Sequence, residues 1–282
     1  MNVRDLVLKY SKQNYNKIDS YNLAAEEIIL SKICKSPLCD HVTLKGGIVM
    51  FILTEKQRSV TKDIDFDFVS FPLTENAIKS FVDSLNNNGD DFKVSIEGLF
   101  VELKHEDYQG IRVPLLISDT NGDKLLIKID IGVHTNKEIP QQKIEILKPY
   151  SRRPLFLNAN PPEQIVAEKL VALARIGKRT TRYKDIYDIY FLLANRMINN
   201  LLFKEIIEIV LKNSRKNHRL NISEFKNIIH SVLENKRFEQ NFRKAKNQWI
   251  KEDYQTMKEY ILNFIDIVCD PCANVCTVIE SQ

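Results

Sequence analysis

A pair of glycines and an alternating acidic run constrain the fold of this chain more than any other feature. Gly46 and Gly47 follow the short strand-like segment 42–44, and residues 63–68 read DIDFDF. Adjacent glycines predict a turn in which the backbone can approach a phosphate closely. The period of two in the acidic run predicts a β-strand with one buried face. With a helix predicted from Ile48, this order of elements indicates an α/β fold.

The charges of the acidic run indicate a cation. On a strand, Asp63 and Asp65 share one face about 7 Å apart, and at an effective dielectric near 20 they repel by about 2 kcal/mol. Mg²⁺, or Mn²⁺ in its place, takes carboxylate oxygens and bridges substrate phosphates. A calcium loop does not fit, because Phe68 stands where that loop needs glycine. Each motif is common as a purely structural feature, so the prediction of a nucleotide and magnesium site depends on their occurring together.

A third carboxylate stands alone in an apolar strand. Asp130 lies within residues 125–133, which read LLIKIDIGV. Burying a carboxylate without a partner is costly. Asp130 is therefore predicted to join the same cluster, provided that its strand lies beside the first acidic strand. The alternative is an aspartate that faces a turn at the strand end. Two further strands are predicted at residues 92–104 and 113–118.

The second half of the chain reads as helical. A boundary is expected near residues 158–162, which gives domains 1–157 and 158–282. An Asn cap, Pro at the first helical turn and Glu163 predict the first helix, and Gly177 predicts its end. The chain then has a helical pattern to about residue 265. The expected architecture is an α/β unit with N-terminal helices and a mixed sheet, followed by a helical bundle.

Charged residues on the first two of these helices have two interpretations. Lys169 lies among apolar neighbours, and Asp185 and Asp188 are three positions apart on one helix face. A lysine here could reach nucleotide phosphates as a compact charge. Alternatively, Lys169 extends from a helix edge toward water, and Asp185 pairs with Arg182 or with Lys169.

A basic segment follows. Residues 211–247 contain ten Lys and Arg against three Glu, a net +7 in a chain of net +4. Phe238, Phe242 and Trp249 are interleaved with them or follow them. Such a segment is typical of a surface that binds phosphate backbones. The alternative is a solvated helix face whose aromatic residues belong to the core.

Several classes of protein do not fit the sequence. No apolar run has the length of a membrane span, and the N-terminus has no hydrophobic signal core, so the cytoplasm is expected. Five cysteines argue against a disulfide framework. Cys269, Cys272 and Cys276 form only part of a zinc knuckle, because no fourth ligand lies nearby; reduced thiols are the favoured interpretation.

The motifs together resemble a known family. The glycine turn, the DID strand, the lone strand aspartate, an EKL on one helix and a KDIYDI on the next resemble AbiEii-type nucleotidyltransferase toxins, which include the MenT toxins. The resemblance covers residues 43–193. It implies a nucleotidyltransferase-like core, a helical domain and an active site in the cleft between them. The implied reaction moves a nucleoside monophosphate from an NTP to an acceptor, for some members the 3′ end of tRNA, and a cognate antitoxin is implied.

The resemblance also implies roles for residues of the first domain. Gly46 and Gly47 match the turn that holds the triphosphate. Asp63 and Asp65 match the metal-binding pair, and Asp130 resembles a third carboxylate that contacts metal and helps to activate the attacking hydroxyl.

In the second domain, Lys169 matches the lysine that contacts the nucleotide phosphates. Asp185 and Asp188 match a helical acidic motif, the first as a catalytic residue and the second as a nucleotide-binding one. The sequence departs from the family at Ile48, where the family usually has Thr or Ser, and at Arg58, which is displaced from its usual place before the aspartates.

Two other functions stay open at this point. One is transfer of the nucleotide to a small molecule, as in aminoglycoside-modifying nucleotidyltransferases. The other is an inactive module that keeps the fold and binds RNA or protein. The basic helical segment disfavours transfer to a small molecule. The complete set of acidic residues disfavours an inactive module.

Overall fold

A computed structural model describes residues 2–87, 89–104, 109–146, 154–214, 220–245 and 249–269. The chain divides into two compact units, Met1–Asn160 and Pro161–Gln282. This division lies close to the boundary at 157/158 that the sequence predicts. The α/β fold class is confirmed, because an eight-stranded mixed sheet and four α-helices form most of the described part of the first unit, and helices form that of the second.

The first unit alternates helices and strands. Its helices are α1 (Val3–Ser11), α2 (Lys17–Lys35), α3 (Gly46–Leu53) and α4 (Glu75–Ser84). Its strands are β1 (Val42–Leu44), β2 (Asp63–Phe68), β3 (Phe92–Ile96), β4 (Val101–Lys104), β5 (Gln109–Asp119), β6 (Lys124–Val133), β7 (Gln142–Ile146) and β8 (Leu155–Ala159).

The sheet has the strand order β3-β5-β6-β2-β1-β8-β7, and β4 also pairs with β5. Strands β2 and β6 are parallel, as are β1 and β8, and the other pairs are antiparallel. This order places the acidic strand β2 in the middle of the sheet between β1 and β6. The predicted adjacency of the two aspartate-bearing strands is thereby confirmed.

One predicted strand is wrong in its extent. Residues 92–104 form two strands, β3 and β4, that pair with successive parts of β5. Gly98, with φ of +117°, lies in the interruption between them, a backbone conformation that side chains other than glycine rarely adopt. The predicted strand at 113–118 is longer than expected and spans Gln109–Asp119.

Apolar side chains of β2 pack on one face of the sheet, against helix α4. Ile64, Phe66 and Phe68 are fully buried. The rings of Phe66 and Phe68 lie 5.7 and 5.2 Å from that of Phe81 on α4. Burying aromatic rings of this size contributes several kcal/mol, roughly 2 to 3 for each. This packing fixes which face of β2 is left for the aspartates.

The second unit is helical in its described part. Its helices are α5 (Pro162–Ile176), α6 (Tyr183–Ala194), α7 (Asn200–Asn213), α8 (Ile222–Leu233), α9 (Lys236–Lys244) and α10 (Tyr254–Val268). Gly177, with φ of +65°, ends α5 as predicted. The predicted Asn cap is wrong, because Pro161 is the N-cap and makes no side-chain cap bond. Glu163 instead accepts a hydrogen bond from the backbone N–H of Asn199.

Two aromatic residues of the basic segment belong to the core. Phe238 and Phe242 are 1% and 2% exposed, and Phe242 stacks on Tyr187 with ring centres 4.9 Å apart. The interpretation of these two rings as part of a nucleic-acid surface is therefore wrong. Several basic side chains of the segment are exposed: Lys212, Lys236, Arg237, Arg243 and Lys244. Others lie outside the described residues: Arg215, Lys216, Arg219 and Lys246.

The cysteine and membrane predictions are tested only in part. Burial raises the pKa of the Cys269 thiol to about 11, which keeps it protonated at neutral pH. Cys272 and Cys276 lie outside the described residues. Over the described ranges, the helices are too short or too polar to cross a membrane.

Candidate active site

Strand β2 presents its acidic side chains on one face. Asp63, Asp65 and Asp67 alternate with Ile64, Phe66 and Phe68, which are buried on the opposite face. The predicted sharing of one face by Asp63 and Asp65 is confirmed by this alternation. Asp67 extends the row by one position, so β2 contributes three carboxylates.

The neighbouring strands add a carboxylate and a guanidinium to this row. In the parallel register of β2 and β6, Asp65 lies opposite Asp130. In the antiparallel register of β6 and β5, Asp130 lies opposite Arg112. Because residues opposite each other on adjacent strands lie on the same face, the three side chains form one transverse line across the sheet. Asp130 is thus part of the acidic cluster and not at a turn.

Arg112 is the residue that holds this cluster together. Its Nε and Nη2 donate to the two carboxylate oxygens of Asp130, each at 2.7 Å. Nη2 also donates to Asp63 Oδ2 at 3.1 Å. The hydrogen bonds to Asp130, together with the charges of Asp130, Asp63 and Asp65, raise the pKa of Arg112 above its ordinary value, although burial acts in the opposite direction. A bidentate pair of this kind is strong and geometrically fixed.

The glycine turn closes on Asp65. The backbone N–H of Lys45 donates to the carbonyl oxygen of Asp65 at 3.0 Å. Gly46 has φ of +63°, and a Cβ at this position would lie 2.6 Å from Asp65 Oδ2. Only glycine therefore fits here without displacing the carboxylate. The predicted proximity of the glycine turn and the aspartate strand is confirmed.

The surroundings of Asp65 disfavour its charge. Burial and the neighbouring carboxylate of Asp130 raise its pKa to about 6, although Lys45 and a backbone hydrogen bond from Gly47 act in the opposite direction. The carboxylate is thus under-compensated by the cations around it. A divalent cation would supply the missing positive charge.

A second ion pair borders the cluster. Lys45 Nζ donates to Asp67 Oδ1 at 2.5 Å, and both side chains are largely buried. Gly132, opposite Asp67 in the register of β2 and β6, leaves room for the pair. A Cβ at Gly132 would lie 2.2 Å from Asp67 Oδ1 and 3.0 Å from Lys45 Nζ. Burial lowers the pKa of the nearby His134, so this imidazole is neutral at pH 7.

Two further residues lie at Gly47. Arg58 Nη1 lies 3.5 Å from the carbonyl oxygen of Gly47. A Cβ at Gly47 would lie 3.0 Å from Thr61 Oγ1. Arg58, which departs from its usual position in the family sequence, thus lies beside the glycine turn, where the loop before β2 places it. Thr61 places a hydroxyl near the turn, where Ile48 is buried and provides none.

The donor set fits a divalent cation held by two carboxylates. Within the described ranges, no group of three or more His, Cys, Asp or Glu side chains is arranged to hold a metal ion. Arg112 engages both oxygens of Asp130, so Asp63 and Asp65 are the better ligands. Mg²⁺ is usually held by one or two carboxylates, with water and substrate phosphates completing its shell. That Asp130 is a metal ligand stays a prediction.

The residues predicted in the second unit form their own cluster. Lys169 Nζ donates to Asp185 Oδ1 at 2.6 Å and to Asp188 Oδ2 at 2.8 Å. Arg182 Nε donates to Asp185 Oδ2 at 2.5 Å. Burial acts to raise the pKa of Asp185, but Lys169 and Arg182 together hold it below its ordinary value. The pairing of Asp185 with Arg182 and Lys169 is confirmed. The other part of that interpretation, in which Lys169 extends toward water, is wrong, because its side chain is only 12% exposed.

Sequence reasoning missed Arg112 and gave no role to Lys45 or Asp67. A signal existed for each of them. Arg112 interrupts an apolar strand, Lys45 directly precedes the glycine turn, and Asp67 continues the period of two. The sequence does not show the ion-pair partners of these residues, because the partners lie on other strands.

Comparison of the chain with known proteins identifies its family. No curated protein gives a significant match to the chain. A family model described as the nucleotidyl transferase AbiEii toxin of type IV toxin–antitoxin systems matches residues 28–267. That match spans both units and includes every residue of the acidic cluster and the glycine turn, and the chain belongs to this AbiEii family.

Proposed function

We propose that the chain transfers a nucleoside monophosphate from an NTP to an RNA acceptor, the 3′ end of a tRNA, in a reaction that needs Mg²⁺. Membership of a nucleotidyltransferase toxin family supports the reaction class and the toxin role. The observation that carries the proposal is the packing of Gly46 against Asp65, beside Asp63 and Asp130. It places a glycine turn, which suits a phosphate, against carboxylates that lack sufficient positive charge.

The glycine turn would bind the triphosphate. Helix α3 begins at Gly46, and the backbone N–H groups of a helix N-terminus favour anions. Arg58 lies beside Gly47 and adds positive charge there. Asp63 and Asp65 would hold the Mg²⁺, which offsets charge on the phosphates and orients the reacting oxygens.

The chain's own residues would position the acceptor and take its proton. The attacking hydroxyl would bond to the α-phosphorus of the NTP while the bond to the β-phosphate breaks and pyrophosphate leaves. Asp130 is the candidate acceptor of the proton from that hydroxyl, and Arg112 fixes both oxygens of its carboxylate. Lys169 and Asp188 of the second unit stay proposed contacts of the nucleotide, and Asp185 a proposed catalytic residue, as the family resemblance implies.

An RNA acceptor suits the exposed charges of the second unit. On α9, Lys236, Arg237, Arg243 and Lys244 are exposed, and such side chains bind phosphate backbones without reading sequence. An aminoglycoside would not need them. We further propose a cognate antitoxin, because the family is defined by type IV toxin–antitoxin systems.

The test is an assay with each labelled NTP, Mg²⁺ and either total tRNA or a panel of aminoglycosides. We expect label in tRNA, loss of label in EDTA, and no label with Asp65→Ala. Asp83→Ala, an exposed aspartate on α4, is the matched control and should label tRNA normally. Label in RNA with Asp65→Ala would contradict the assignment of the site.

Two other results would replace the proposal. Label on an aminoglycoside and not on tRNA would assign a small-molecule acceptor. No transfer at all, together with no effect of Mg²⁺ and NTP on thermal stability, would assign an inactive binding module.

A further inference from the structure

Arg112 lies where a cation would be expected between two acidic side chains. It contacts Asp130 through two nitrogens and Asp63 through one, with all three distances between 2.7 and 3.1 Å. Its side chain is only 33% exposed, and that of Asp130 only 13%. The ion pair of Arg112 and Asp130 is therefore part of the sheet structure and not a surface ion pair, since the register of β5 and β6 places these two residues opposite each other.

The charges of the cluster leave room for one divalent cation. Asp63, Asp65 and Asp130 have a formal charge of −3 and Arg112 contributes +1, so the formal charge of the cluster is −2. Lys45 lies nearby, but it donates to a fourth carboxylate, Asp67. One divalent cation would neutralise this charge, whereas two would leave an excess of positive charge in a partly buried site.

We propose that Arg112 is a positioning residue that takes the place of a second metal ion between Asp63 and Asp130. The protein then holds one divalent cation, on Asp63 and Asp65, and the fork of Arg112 keeps Asp130 in a fixed orientation. This inference rests on the proposed metal-dependent function. It differs from a two-metal site in that one of the two positive centres is a side chain of this chain.

The test counts bound Mn²⁺ by electron paramagnetic resonance on the full chain without nucleotide. We expect one Mn²⁺ in the wild type and two in Arg112→Met, because Asp130 and one oxygen of Asp63 lose their partner. The second Mn²⁺ should disappear again in Arg112→Met/Asp130→Asn. Arg4→Met removes an arginine of the same unit that is 76% exposed, and it should bind one Mn²⁺ as the wild type does.

Thermal unfolding of the same proteins gives an independent measure. Without divalent cations Arg112→Met should melt below the wild type, because the carboxylates of Asp63 and Asp130 lose the guanidinium between them. Mn²⁺ should raise its melting temperature more than that of the wild type. Circular dichroism checks the fold, and Arg112→Gln replaces Arg112→Met if the latter does not fold.

The outcomes separate the inference from the proposed function. Two Mn²⁺ in the wild type, or one in both the wild type and the folded Arg112 variant, would overturn the role of Arg112 while the metal site stands. No Mn²⁺ in the wild type, with transfer that persists in EDTA, would overturn both.

Discussion

Gly46 and Asp65 lie in such close contact that the turn before α3 and the middle of β2 form one structural unit. A Cβ on residue 46 would lie 2.6 Å from Asp65 Oδ2 and 3.1 Å from its carboxyl carbon. The neighbouring Lys45 N–H donates to the Asp65 carbonyl oxygen at 3.0 Å. The turn that would receive a polyphosphate is thus fixed directly against a carboxylate that would hold its cation.

Gly46→Ala should abolish nucleotidyl transfer and weaken Mn²⁺ binding, because the methyl group would turn the Asp65 carboxylate away. The left-handed backbone adds roughly 1–2 kcal/mol of strain. Gly89→Ala is the matched control, since Gly89 has nearly the same φ of +62° and nothing within 4 Å of the added carbon. Urea unfolding and the transfer assay measure both effects. Full activity in Gly46→Ala would show that this contact is dispensable.

Asp65→Asn should stabilise the fold at neutral pH while it removes activity. The pKa of Asp65 is about 6 in the folded chain, against an ordinary value of 3.8 for an aspartate. The folded state therefore binds the extra proton between these values, so stability falls as pH rises from about 4 to 6, by up to about 3 kcal/mol. The destabilisation by the charged Asp65 carboxylate is fully present above pH 6.

Urea unfolding between pH 4 and 8 measures this dependence. In Asp65→Asn the fall in stability between pH 4 and 6 should be smaller than in the wild type, and Mg²⁺ should no longer stabilise the protein. The exposed Asp83→Asn should follow the wild-type curve. A decrease in stability of Asp65→Asn at pH 7 would contradict the expected repulsion.

Gly132→Ala should destabilise the sheet by about 1–3 kcal/mol, because the added carbon would overlap Asp67 and separate it from Lys45. Gly110→Ala is the control. Gly110 lies opposite Gly132 in the register, and the atoms nearest to its added carbon would be in the Leu103 side chain, at 3.3 Å, and the Ile131 carbonyl, at 3.5 Å. A double-mutant cycle with Asp67→Ala tests the cause. The cost of Gly132→Ala should shrink in that background, and an unchanged cost would rule out the ion pair as its origin.

Lys169→Met should lower the free energy of unfolding by about 3–5 kcal/mol, because it removes the cation that Asp185 and Asp188 share inside the second unit. Lys226→Met, which breaks a more exposed pair with Asp266, should cost at most about 1 kcal/mol. Urea unfolding at pH 7 measures both variants.

The same variant separates two roles for Lys169. Replacing Asp185 and Asp188 by Asn in the Lys169→Met background should recover stability, because no carboxylate is then left unpaired. A fully stable Lys169→Met that has lost only transfer activity would assign the lysine to the nucleotide phosphates instead of to the helix pair.

The local pattern of the sequence determined the elements of the site. The period of two in residues 63–68 fixed which face of β2 carries carboxylates, because successive side chains on a strand alternate. The two glycines marked the turn, and Gly177 marked the end of α5, since both follow from backbone conformation alone. Asp130 was identifiable because an unpartnered carboxylate in an apolar strand is costly.

Only the tertiary structure decided which charges meet. Arg112 and Asp63 are 49 positions apart, and Lys45 and Asp67 are 22 positions apart. Periodicity gives the face of a side chain but not its neighbour, which depends on strand order and register. The same limit explains Phe238 and Phe242, whose burial follows from contacts with other helices and not from the charges beside them. The sequence thus determined which groups are present on each face, and the register of β5, β6 and β2 determined that a guanidinium lies between two of the carboxylates.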